Sequence, residues 1–113
     1  MTERARKYLA DIEIAIDLIE SFIEATNSFE AYNSDYKTQS AVERQLGIIG
    51  EAVNKYRQEN VADILEHAQQ IVAFRNRIIH AYDNIDNSVV WVILKKYLPA
   101  LKSEIENKIK QNK

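Results

Sequence analysis

The sequence predicts an all-α protein: an antiparallel four-helix bundle over residues 1–113, or five helices if Pro99 kinks or splits the last. Three observations carry this. Hydrophobic residues make up 46% of the chain, yet only two glycines and one proline interrupt them, too few breakers for a sheet with many tight turns. Apolar residues recur at alternating spacings of three and four, the rhythm of one helix face. A chain of 113 residues can bury one core but not two, which predicts a single domain.

The first helix is expected from about Thr2 to about Thr26, on the seam Leu9, Ile12, Ile16, Ile19 and Ile23. Ile14, Leu18 and Phe22 widen that stripe, so this helix should touch more than one neighbour. Asn27 through Asp35 is rich in turn formers and reads as a break. A second helix is expected from near Thr38 to near Tyr56, through Val42, Leu46, Ile49 and Val53, with Ser40 and Glu43 as a capping box. Gly47 and Gly50 fall inside it, each costing about 1 kcal/mol relative to alanine, which suggests close approach of another backbone. After the linker Gln58-Glu59-Asn60, a third helix should carry Ile64, Leu65, Ala68, Ile71, Phe74 and Ile78. Asp83 through Ser88 reads as a turn whose end supplies an N-cap from Asp86, Asn87 or Ser88. The last helix then carries Val90, Ile93, Leu94, Tyr97, Leu101, Ile105 and Ile109, with Pro99 inside it.

Composition removes several function classes. Without cysteine there is no disulfide framework and no thiolate nucleophile or zinc ligand. The N-terminus is charged where a signal peptide needs an apolar core, and no run approaches the ~20 apolar residues of a membrane span. A soluble, cytoplasmic protein is the expectation. The net charge of −2 offers no bulk electrostatic footprint for nucleic acid, so RNA would need a local cluster. Arg75 and Arg77 with Lys95 and Lys96, helped by Arg44, Lys55 and Arg57, could form one.

Chemistry concentrates in Arg75-Asn76-Arg77-Ile78-Ile79-His80-Ala81-Tyr82. These residues combine permanent guanidinium charge, an amide, an imidazole that titrates near neutrality and a phenol. On a continuous helix Arg75, Asn76, His80 and Tyr82 would fall within a ~160° arc beside the apolar arc of Ile71, Phe74 and Ile78. That set suits phosphoester cleavage without a metal. A blander reading fits the same spacing: cations near a helix C-terminus favour the macrodipole, and a histidine before a turn is an ordinary cap. His67, beside Glu66 and Gln69, reads as exposed, and Glu43, Glu51 and Glu59 as surface carboxylates. There is no Gly-rich phosphate loop, and no His-Glu-x-x-His metal pair.

Arg75, His80 and Tyr82 reproduce an Arg-x4-His-x-Tyr pattern that resembles the signature of HepT-like toxins in the HEPN superfamily. Ala41 through Leu46, Ile49 through Ala52, Phe74 through Arg77 and Trp91 through Pro99 are similar to that family's helices, so the resemblance covers most of the chain. It implies a HEPN-like all-α homodimer whose motifs meet at the two-fold axis. It implies a metal-independent endoribonuclease toxin that needs no cofactor, with Arg75 and His80 catalytic and Asn76 and Arg77 supporting them or binding RNA. Its partner would be an MntA-type nucleotidyltransferase antitoxin that adenylylates Tyr82. A rival reading is a non-catalytic nucleotide- or substrate-binding subunit of a nucleotidyltransferase complex, and a third is a helical dimerisation module.

A homodimer also follows from the apolar surplus of the last helix. Trp91, Leu94, Leu98, Leu101 and Ile105 form a second stripe that needs cover, which predicts pairing through the third and last helices.

Overall fold

The computed structural model describes residues 1–26, 28–80 and 85–111, with backbone alone at Ile79 and His80. Its elements are α1 (Glu3–Ile23), a short α2 (Phe29–Asn33), α3 (Tyr36–Glu59), α4 (Gln69–His80), α5 (Asn87–Val92), a π-helical stretch (Ile93–Tyr97) and α6 (Leu98–Gln111). The described residues contain helices and no strand, in keeping with the all-α expectation.

The predicted seam of α1 is its buried face: Leu9, Ile12, Ile16 and Ile19 are fully covered. Thr2 caps the helix by accepting the Ala5 N–H at 3.0 Å. Helix α3 packs antiparallel along α1, so the ends tie together where Arg4 meets Glu59 at 3.2 Å. Its start lies earlier than the Ser40–Glu43 box, because Asp35 accepts the Thr38 N–H at 3.1 Å and the Thr38 hydroxyl at 2.6 Å. Its end lies later, so Gln58 and Glu59 belong to the helix rather than to a linker.

The third predicted helix begins at Gln69, and residues 60–68 are coil. Leu65 and Ala68 are buried from that coil, whereas Ile64 is exposed. A distant residue stabilises the coil: the Glu104 carboxylate accepts the backbone N–H groups of Glu66 at 2.7 Å and His67 at 3.0 Å. His67 is exposed, as read from its neighbours.

Helix α2 was not foreseen. Ser28 caps it, accepting the Ala31 N–H at 3.2 Å, and it lays Phe29 and Tyr32 against Trp91 with ring centroids 6.5 and 5.6 Å away. That contact, with the core, covers the stripe reckoned as surplus on the last helix. Leu94, Leu98, Leu101 and Ile105 are all buried within the chain, so the argument for pairing through that stripe falls. Among the uncovered aliphatic residues, Ile14 and Leu18 lie on α1, Ile48 on α3 and Val92 on α5.

Asp86 is the N-cap of α5, accepting the Ser88 N–H at 2.9 Å. From Asn87 to Gln111 the helical run does not break. Pro99 has no N–H for the carbonyl four residues back, and its ring crowds that carbonyl. The helix answers with a wider π turn immediately before it, in which the Leu98 N–H reaches back five residues to the Ile93 carbonyl. Among the described residues no helix is long and apolar enough to cross a membrane.

Candidate active site

Helix α4 buries Ile71 and Phe74 and half-buries Ile78, which sets Arg75 at the margin of the core beside α3. The stem of Arg75 lies over Gly50. A β-carbon on residue 50 would stand 2.7 Å from Arg75 Cβ and 2.9 Å from its Cγ, inside any van der Waals contact. Gly50 thus serves the close approach expected of it, although what approaches is a side chain. Gly47 meets nothing within 4 Å, so the same expectation fails there.

Beyond Gly50 the guanidinium is held from two sides. Nη2 donates to Glu51 Oε2 at 2.8 Å, and Nη1 donates to Asn76 Oδ1 at 3.4 Å. The other Glu51 oxygen lies 3.7 Å from Lys55 Nζ, so one carboxylate bridges two cations. The Arg75 side chain is 25% exposed and that of Glu51 51%, so water screens the pair. Ion pairs of this kind contribute about 0–1 kcal/mol, little enough for an arriving phosphate to displace the carboxylate from Arg75. A guanidinium offers a phosphate the same bidentate geometry that it offers a carboxylate.

The remaining site residues diverge. Asn76, besides meeting Arg75, lines a cleft of about 250 Å³ between α3 and α4, with Arg57 on its wall. Arg77 is exposed and lines a separate cleft of about 380 Å³ with Val92 and Tyr97. Lys96 lies 5.3 Å above the Tyr97 ring, and Lys95 lies 4.8 Å above that of Trp91. The expected basic cluster therefore divides: Lys55 joins Arg75 through Glu51, and Lys96 stands on the side of Arg77. Arg44 and Lys55 also line a groove between α1 and α3.

Helix α4 runs through His80, so Arg75 and His80 share one helix, with a rise of ~7.5 Å between them. The His80 side chain and Tyr82 lie outside the described residues. Sequence reasoning overlooked Glu51 as a site residue. Its one signal was its place directly after a helical glycine, and only the packing of α3 on α4 gives that signal meaning.

Comparison with known proteins matches most of the chain to one family. Residues 12–107 match the family described as Ribonuclease HepT-like. The protein named "Probable ribonuclease HepT" in Thermococcus cleftensis is 36% identical, over 94% of this chain and 96% of its own length. A protein of Methanocaldococcus jannaschii named as a candidate RNase is 35% identical, over 89% of this chain and 93% of its own. A second from that organism, named likewise, is 32% identical, over 93% and 87%. No solved structure matches. The matched span reaches from the middle of α1 into α6 and includes Gly50, Glu51, Arg75 and Asn76: the chain belongs to the HepT-like family of ribonucleases.

Proposed function

We propose that this single HEPN-like domain is a metal-independent endoribonuclease that works as a homodimer in the cytoplasm. It is the toxin of a HEPN/MNT pair, silenced when an MntA-type nucleotidyltransferase adenylylates Tyr82. The observation that carries the reading is Arg75, set at the edge of the core over Gly50 with its guanidinium on an exchangeable carboxylate, on the helix that also bears His80.

The chemistry asks for few groups. The RNA 2′-oxygen attacks the adjacent phosphorus, the bond from phosphorus to the 5′-oxygen breaks, and a 2′,3′-cyclic phosphate remains. One imidazole takes the 2′-hydroxyl proton and a second, protonated, gives one to the departing 5′-oxygen. One chain supplies a single candidate histidine, and two chains supply both roles. Arg75 stabilises the charge that gathers on the non-bridging oxygens, with Asn76 and Arg77 holding flanking parts of the strand.

The test is cleavage of RNA in the presence of a chelator. Wild type should cut and leave cyclic or 3′-phosphate ends, while His80→Ala and Arg75→Ala each lose ~100-fold or more. Equal cleavage by both variants would expose a contaminating nuclease. Inactivity of wild type with retained RNA or nucleotide binding would replace this reading with that of a binding subunit.

A further inference from the structure

The face of α3 that meets Arg75 does not end at Gly50. Val53 and Arg57 follow it at spacings of three and four, and on α4 Gln69, Val72 and Asn76 keep the same rhythm. These two rows line the cleft of about 250 Å³ between the helices. Sites for drug-sized molecules run to about 300–1,000 Å³, so this one suits a single flat ring system. Its walls are largely apolar: Val53 and Leu65 are buried, and Ile64, also at the cleft, is 61% exposed.

The polar groups of the cleft are few and differ in kind. The Tyr56 phenol is already committed to Asp63. Asn76 turns its Oδ1 to Arg75 Nη1, because a guanidinium can only donate, so its Nδ2 is the group left to offer. Arg57 Nη2 donates to Asn54 Oδ1 at 2.8 Å, which steadies the guanidinium and leaves its remaining N–H groups available. Among the described residues Arg57 makes no ion pair. Gln69, exposed at the start of α4, adds an amide that both donates and accepts.

We propose that this cleft is a base-recognition pocket: it takes guanine from the nucleotide next to the phosphate on Arg75, with Arg57, Gln69 and Asn76 reading its edge. The donors argue for the base. Guanine presents two acceptors, O6 and N7, to Arg57 and Asn76, whereas adenine sets an amino group where O6 would be, donor against donor. The Gln69 oxygen can accept from the N–H groups of guanine. A pyrimidine would leave part of the cleft unfilled. Asn76 argues for the strand, since it touches the Arg75 guanidinium and lines the cleft as well. This deepens the ribonuclease reading, on which only the placement beside the scissile phosphate rests.

The probe is a uridine hexamer, 2′-O-methylated throughout so that it cannot be cut, carrying one internal guanine or, for comparison, one adenine. Wild type should bind the guanine hexamer about fivefold or more tighter, the scale of one base read at its edge. Arg57→Ala and Gln69→Leu, both at exposed positions, should each erase most of that ratio with helicity unchanged. Equal binding of the two hexamers by wild type overturns the proposal. So does an Arg57→Ala protein that weakens both alike, which would make Arg57 a phosphate contact. GMP should compete about tenfold or more less tightly than the guanine hexamer, because it lacks the strand's other phosphates. GMP as tight as the hexamer would make the occupant a free nucleotide and overturn the assignment to RNA. Binding here is independent of turnover. A guanine preference in a protein that cuts no RNA keeps the pocket and removes the ribonuclease reading, and cleavage beside all four bases alike does the reverse.

Discussion

Arg75 occupies the space that a side chain on residue 50 would need: its Cβ lies 2.7 Å from where a β-carbon of Gly50 would stand. Glycine inside a helix costs about 1 kcal/mol relative to alanine, so in α3 it is retained against propensity. What it secures is the path of the Arg75 stem across α3 to Glu51.

Gly50→Ala should therefore displace Arg75 and lower RNA cleavage by ~10-fold, the scale of a misplaced charge-stabilising group. It should also fail to give the usual gain in helix stability. Gly47→Ala is the control, since nothing stands within 4 Å of its β-carbon. That change should raise stability by about 0.5–1 kcal/mol in denaturant titration of dilute protein. If both alanines stabilise equally and both enzymes stay active, the Gly50 contact has no functional weight.

Glu51 is the next element in that path. Removing its charge should act on binding and on turnover in opposite senses. Glu51→Gln frees Arg75 and Lys55 from their shared carboxylate and takes a negative charge away from the incoming phosphate. KM for RNA should fall a few-fold. With the guanidinium less firmly aimed, kcat should fall as well. Stability should change by less than about 1 kcal/mol, because the pair is solvent-screened. Unchanged KM and kcat would reduce Glu51 to a surface carboxylate.

These two residues show where sequence reasoning stops. Periodicity located α1, α3 and the last helix, because Leu9, Ile12, Leu46, Ile49, Leu101 and Ile105 follow the helical rhythm that burial imposes. It missed α2, whose five residues are too few to show a period among turn formers. It started the third helix too early, because Glu104 holds the coil from 38 residues away. Arg75 was legible from its neighbours on one helix. Gly50 was legible only as a place of close approach and Glu51 not as a site residue, since what each meets comes from a contact between helices.

A second network should set the pH range of stability. Asp63 accepts from Lys108 Nζ at 2.6 Å and from the Tyr56 hydroxyl. Those bonds, Lys108 first and Tyr56 second, hold its carboxyl below the ordinary carboxylate range. Burial, and then the bond to Asp63, pushes the Tyr56 phenol up to about 12. The signs are opposite. The contribution of Asp63 is complete above its unfolded pKa and is lost as pH falls through the folded value. That of Tyr56 is complete below about pH 10 and is lost as pH climbs toward its folded value. Chemical denaturation across pH should show both limbs. Asp63→Asn should flatten the acid limb. Tyr56→Phe should shrink the alkaline one without abolishing it, since burial also raises the phenol of Tyr32. Profiles identical to wild type would remove the network from the pH dependence.

Tyr82 is expected to control the enzyme rather than to serve its chemistry. A phenol with an ordinary pKa of about 10 is a poor base near neutrality, although it can donate a hydrogen bond. Tyr82→Phe removes only that hydroxyl and should keep most of the RNase activity. Adenylylation does much more, because it adds a nucleotide and a negative phosphate seven residues along the chain from Arg75. The guanidinium, held by the exchangeable Glu51 carboxylate and a longer bond to Asn76 Oδ1, can move to the attached phosphate and is then unavailable to RNA. Incubation with the cognate nucleotidyltransferase and ATP should add one or more AMP masses to wild type and stop cleavage. Tyr82→Phe should remain unmodified and active under the same treatment. If that variant is modified and silenced, the switch lies on another residue, and Arg75 must be neutralised by some route other than a phosphate on Tyr82.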